Sequence, residues 1–131
     1  MTLGPDHDPS EIAPSANARV ERTVSHAAVL ERGRLLVSHA GLGSVMKALW
    51  YGRPMVLVPW GRDQPGVAFR AAALGVAEVV PREDASADTL SAAVDRALGD
   101  EAMTDAASRH GDRLRATDPP GTAAALVEAL L

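Results

Sequence analysis

The chain has 131 residues and no cysteine, which suits one domain around one core and excludes disulfides and thiolate metal sites. A formal net charge of −4 argues against a general nucleic-acid binder, which carries a basic stripe; among thirteen basic residues Lys47 is the only lysine. Apolar residues make up 47% and aromatics only 3%, so Ala, Val and Leu must fill the core, and no apolar run approaches the ~18 residues of a membrane span. With no signal peptide in view, the expected setting is the cytoplasm, and the Arg and Ala excess suggests a GC-rich bacterial source.

Residues 1–18 are rich in Pro, Asp, Ser and Gly and read as an extended or disordered lead-in. Arg19–Val24, with apolar Val20 and Val24, reads as a weak strand, and His26–Glu31 as a short helical turn. Arg34–Ser38 reads as a buried strand and Gly43–Tyr51 as a helix stopped by Gly52 and Pro54. Met55–Pro59 is apolar throughout, the pattern of a parallel strand covered on both faces. Gln64–Leu74 reads as a helix closed by Gly75, and Val76–Val80 as a third strand. Ser86–Leu98 is a helix with Ser86 at its N-cap and Leu90, Val94 and Leu98 on one face. Two more helices, Glu101–Arg115 and Thr122–Leu131, are split by Asp118-Pro119-Pro120-Gly121. Alternating strands and helices imply an α/β fold, a Rossmann-like parallel sheet with helices on both faces.

Two junctions carry chemistry. His39-Ala40-Gly41-Leu42-Gly43-Ser44 joins a strand to a helix through a glycine turn. Unpaired N–H groups and the positive end of the helix dipole suit an anion there, and glycine allows close approach and positive φ. Ser44 adds an N–H and a hydroxyl, and His39 an imidazole that can donate to phosphate. Trp60-Gly61-Arg62-Asp63-Gln64 follows the second strand and offers a carboxylate and an amide to sugar hydroxyls, with Trp60 beside them. In parallel sheets ligands bind beyond the carboxyl ends of the strands, so both junctions can face one crevice. The plainer alternatives stay open: a strand-end His39, an ordinary tight turn, Asp63 as a helix N-cap with Pro65 in the first turn, and Trp60 as packing. Arg53 and Arg62 read as solvated, the 100–115 stretch as a helix with its charges outward, and His7 and His110 as isolated.

The series His39–Ser44, Ala48-Leu49, Gly52-Arg53-Pro54-Met55-Val56, Pro59, Asp63-Gln64 and Leu74-Gly75-Val76 resembles the UDP-glycosyltransferase-like GT-B enzymes, bacterial members that glycosylate antibiotics or lipids above all. Ala18-Arg19-Val20-Glu21 and Ser25–Leu30 extend the resemblance, which runs roughly from Asn17 to Leu98. It implies that residues 19–131 form the donor-binding C-terminal half, lacking that domain's first strand and helix, with Thr2-Leu3-Gly4 as a stub of its second strand. It implies a diphosphate site at His39, Gly41, Gly43 and Ser44, and a sugar site at Asp63, Gln64 and Trp60. The nucleoside would lie near His26 and Val29, and near Lys47, where the family usually has Glu. The reaction implied is inverting transfer of a hexose from a UDP- or dTDP-sugar, with no cofactor or metal and with His39 stabilising the leaving group. The family's general base has no counterpart here, so the chain is expected to need an acceptor-domain protein or a homodimer, and no nucleic acid. A non-catalytic subunit of a split enzyme is the alternative, and its apolar helix Ala123–Leu131 would dock on the partner.

Overall fold

The computed structural model describes residues 1–4, 6–117 and 119–130. Nine helices and strands follow in order after a 3-10 turn at Pro9–Glu11: α1 (His26–Arg32), β1 (Leu36–Ser38), α2 (Leu42–Trp50), β2 (Met55–Leu57), α3 (Gln64–Ala73), β3 (Ala77–Val79), α4 (Ala87–Gly99), α5 (Glu101–Ala116) and α6 (Pro119–Glu128). The three strands form one parallel sheet in the order β1-β2-β3, with Ser38 opposite Leu57 and Leu57 opposite Val79.

β2 lies in the centre, and its apolar residues divide by the two-residue side-chain alternation of a strand. Met55 and Leu57 join the larger core with Val45, Ala48 and Leu49 of α2, Ala68 and Ala71 of α3, and Ala106 and Ala107 of α5. Val56 points the other way, to Ala93 and Ala97 of α4. All three β2 side chains are fully buried, and burying each contributes about 1.5–3 kcal/mol. Helices therefore cover both faces, the α/β arrangement that the alternating pattern implies. Ser86 caps α4 by accepting from the Thr89 N–H at 3.1 Å, and Gly75 ends α3 with φ +69°. α5 reaches α2 through Gly52 and Gly111, where a methyl on Gly111 would stand 2.7 Å from the Leu49 carbonyl oxygen.

Several expectations are corrected. β1 is not a buried strand: among the described residues it pairs with β2 alone, at the edge of the sheet, and Val37 is 49% exposed. Residues 19–24 form no strand beyond one parallel bridge between Glu21 and Thr2. Within the extended lead-in, the Leu3 and Gly4 N–H groups donate to the carbonyls of Glu21 and Arg22, each at 3.1 Å. Thr2 to Gly4 thus runs as a strand-like stub beside residues 21 and 22. The last helix starts at Pro119, before the expected Thr122, because proline suits the first turn of a helix. Of the expected end at Leu131 and the expected split at Asp118, both positions lie outside the described residues.

Candidate functional site

Adjacent parallel strands deliver both junctions to the same end of the sheet. The Val58 N–H donates to the Ser38 carbonyl at 2.8 Å, so His39 and Pro59 leave the sheet side by side. Beyond β1 the chain turns at Ala40, which is fully buried with φ 67°. The left-handed conformation therefore falls on Ala40, not on Gly41 or Gly43 as the glycine turn suggested. Gly41 is instead the N-cap of α2, with φ −60° and ψ 131°. Its missing side chain serves a close approach: a methyl there would stand 2.7 Å from Nε2 of His39. The imidazole lies folded over the turn.

A glycine N-cap offers α2 no side-chain acceptor, so the Leu42 and Gly43 N–H groups open the helix uncapped. The Ser44 N–H is already committed to the Gly41 carbonyl at 2.9 Å, which leaves Ser44 its hydroxyl. A methyl on Gly43 would have no atom within 4 Å. Two free amides, the helix dipole, an imidazole and a hydroxyl together form a donor set suited to an anion.

A groove of about 850 Å³ opens here. Ser38, His39 and Ser44 line it together with His26 and Val29 of α1, so four of the sequence-derived ligand residues meet in one space. Lys47, exposed on α2, does not line the groove, and neither do Gly41, Gly43, Trp60, Asp63 or Gln64. Arg53, expected to be solvated, instead holds α1 in place, donating to the carbonyls of Leu30 at 2.8 Å and Glu31 at 2.7 Å. These are orphan acceptors at the helix end, and a guanidinium there also matches the dipole. Sequence offered no signal for this contact, because its partners are backbone atoms 22 and 23 positions away.

The second loop is built around Gln64. Its Oε1 accepts from the N–H groups of Trp60 at 2.8 Å and Gly61 at 3.2 Å, and its own N–H donates to the Gly61 carbonyl at 3.2 Å. Arg62 sits in the left-handed region with φ 57°. Asp63 holds the N-cap position of α3 but has helical angles, φ −79° and ψ −14°, and its side chain makes no cap hydrogen bond. The carboxylate is exposed and uncommitted. Trp60 is 62% exposed, and the Arg82 guanidinium stacks 4.1 Å from its ring centroid, linking the loops after β2 and β3. Arg82 was not foreseen; nothing in its turn after Pro81 signals an aromatic partner.

Comparison with known proteins follows the same outline. Residues 3–130 match the family model described as erythromycin biosynthesis protein CIII-like, C-terminal domain. The chain is 28% identical over 132 residues to the NDP-glycosyltransferase YjiC of Bacillus subtilis (strain 168), covering all of this chain and 34% of that protein. Among solved structures it resembles CalG4, the calicheamicin glycosyltransferase, with a TM-score of 0.89 and 27% identity over 96% of this chain and 32% of that one. It also resembles the glycosyltransferase VinC in complex with dTDP, with a TM-score of 0.73 and 30% identity over 79% of this chain and 26% of that one. The chain thus spans about a third of the length of these relatives. It belongs to the erythromycin biosynthesis protein CIII-like C-terminal domain family of glycosyltransferases.

Proposed function

We propose that this chain is the donor-binding portion of an inverting glycosyltransferase that moves a hexose from a nucleoside diphosphate sugar to an acceptor hydroxyl. The observation that carries the reading is the side-by-side exit of two loops, one ending in an uncapped helix start beneath His39, the other presenting an uncommitted Asp63 carboxylate. The diphosphate takes the Leu42 and Gly43 amides, the Ser44 hydroxyl and His39, around the glycines at 41 and 43. The hexose takes the loop from Trp60 to Gln64, and the nucleoside the wall formed by His26 and Val29. Lys47, the third expected nucleoside residue, is exposed on α2. The donor is a dTDP- or UDP-sugar, and the solved relative described in complex with dTDP supports the first of these.

During transfer, negative charge builds on the departing diphosphate. The helix amides and His39 stabilise it without needing a metal, and removing one such donor typically slows a reaction by about 10²–10³. A base on a separate acceptor-binding half deprotonates the acceptor, so this chain alone transfers nothing. The setting proposed is the cytoplasm; among the described residues no helix is long and apolar enough to cross a membrane.

Titration calorimetry with UDP and dTDP tests this. Weak saturable binding is expected from this chain, tightening when the acceptor-binding half of a relative is joined before it. No heat of binding in either form contradicts the reading.

A second reading, a non-catalytic subunit that pairs with a separate acceptor-domain protein, is favoured by α6 and the residues just after it. Leu126, Val127 and Leu130 are all largely exposed there. Gel filtration and co-purification from the source cell test it: a complex supports the pairing, and a strictly monomeric chain with no partner contradicts it.

A further inference from the structure

α1 carries His26 and Val29, the two residues of the nucleoside wall, yet little of its own fixes it. Its seven residues are too few for a helix to persist alone in water. Leu30 is its one buried residue. Among the described residues, the only hydrogen bonds it makes outside residues 25–33 are to Arg53, which donates through Nε to the Leu30 carbonyl at 2.8 Å and through Nη2 to the Glu31 carbonyl at 2.7 Å. Arg53 is held in turn by its own backbone. Its N–H donates to the Ala48 carbonyl of α2 at 2.8 Å, and the carbonyl of the next residue, Pro54, accepts from the Leu36 N–H of β1 at 3.0 Å. One residue thus ties α1 to the helix that opens with uncapped amides and to the strand that leads into it.

We infer that Arg53 is a positioning residue for the nucleoside: its guanidinium sets where α1 stands relative to α2, and so the spacing between the wall at His26 and Val29 and the amides of Leu42 and Gly43. This rests on the donor-binding reading for what the two helices hold, and on the hydrogen bonds alone for the anchor. Arg53 does not line the groove, so its effect passes through α1. Leu30, whose carbonyl it takes, follows Val29 directly and stands about 6 Å along the helix axis from His26. α2 keeps its place without the side chain, because Val45, Ala48 and Leu49 bury it. Losing the guanidinium therefore loosens the nucleoside wall and spares the diphosphate site. Lysine replaces it in part: one ammonium reaches one of the two carbonyls and keeps the positive charge at the helix end, without the fork that holds both. Alanine leaves both carbonyls to water.

The test compares wild type, Arg53→Lys and Arg53→Ala in two measurements. In amide hydrogen exchange, residues 29–33 exchange faster in Arg53→Ala while residues 46–50 of α2 keep their wild-type rates, and Arg53→Lys lies between. Unchanged rates at residues 29–33, or both helices accelerated alike, overturn the anchor. For affinity, UDP and dTDP are titrated by calorimetry, and pyrophosphate through the shifts of the Leu42 and Gly43 amides in ¹H–¹⁵N spectra. Affinity for both nucleotides falls about tenfold in Arg53→Ala and about threefold in Arg53→Lys, while that for pyrophosphate stays within about twofold of wild type in each. Nucleotide affinity unchanged in Arg53→Ala, or pyrophosphate weakened as far as the nucleotides, overturns the positioning role. Wild type that fails to bind pyrophosphate or the nucleotides contradicts the donor-binding reading instead, and the exchange measurement then decides the anchor by itself.

Discussion

A methyl at Gly43 would meet nothing within 4 Å outside its own turn of helix, and in a helix alanine is favoured over glycine by about 1 kcal/mol. Gly43→Ala should therefore leave the thermal midpoint unchanged or raise it, while its methyl stands beside the open amides that we propose for the diphosphate. The expected outcome is a drop of at least about tenfold in UDP and dTDP affinity by calorimetry, on a protein that melts no lower than wild type. His39→Ala removes a donor to a charged group, worth about 1.5–3 kcal/mol, and should weaken both nucleotides by about ten- to a hundredfold. Asp63→Asn acts on the sugar alone: the affinity ratio of UDP-glucose to UDP should fall about tenfold with UDP itself unaffected. At this scale the sequence showed residue types but not their hydrogen bonds. The family resemblance put His39, Ser44, His26 and Val29 around one ligand, and all four line one groove. The hydrogen bonds of Gln64 and the hold of Arg53 on α1 could not be foreseen, because their partners are backbone atoms that every residue carries. The strain at Ala40 was equally hidden, since alanine gives no sign of positive φ.

The groove depends on elements staying in register, and α5 packs closely against the α2–β2 connection. Gly111 lies against the Leu49 carbonyl, and Gly52, with φ 63°, would bring a methyl to 3.1 Å from Cα of Ser108. Gly111→Ala should force the helices apart and destabilise the fold by about 1–3 kcal/mol, read as a lower urea midpoint with unchanged slope. Element boundaries were legible where local chemistry marks them. Ser86 and Gly75 begin and end helices by hydrogen bonding and by glycine's freedom at positive φ, and both stand where expected. The edge position of β1 was not legible. The run Leu35-Leu36-Val37 is as apolar as a central strand, and which side of it is left open depends on which chain segments pair beside it. Residues 19–24 illustrate the same point, for strand character there needs neighbours, and only Thr2 bridges to it.

For the molecule as a whole, the parallel order β1-β2-β3 places the ends of successive strands next to each other, and the two loops inherit that adjacency. Fold class was readable because alternating apolar strands and helices admit few arrangements. The direction of β2, with Met55 and Leu57 on one face and Val56 on the other, then accounts for helices on both sides. Less was readable about assembly, because the relatives are about three times longer and exposed apolar residues such as Leu130 do not name what covers them.

The central claim, that the start of α2 and the loop after β2 hold two parts of one ligand, can be tested by following backbone amides in ¹H–¹⁵N spectra. With dTDP or UDP, the Leu42, Gly43 and Ser44 amides should shift and those of residues 60–64 should stay nearly still. With dTDP-glucose or UDP-glucose both sets should shift together at one affinity. Shifts confined to other surfaces, or two sets that saturate at unrelated concentrations, would contradict the account.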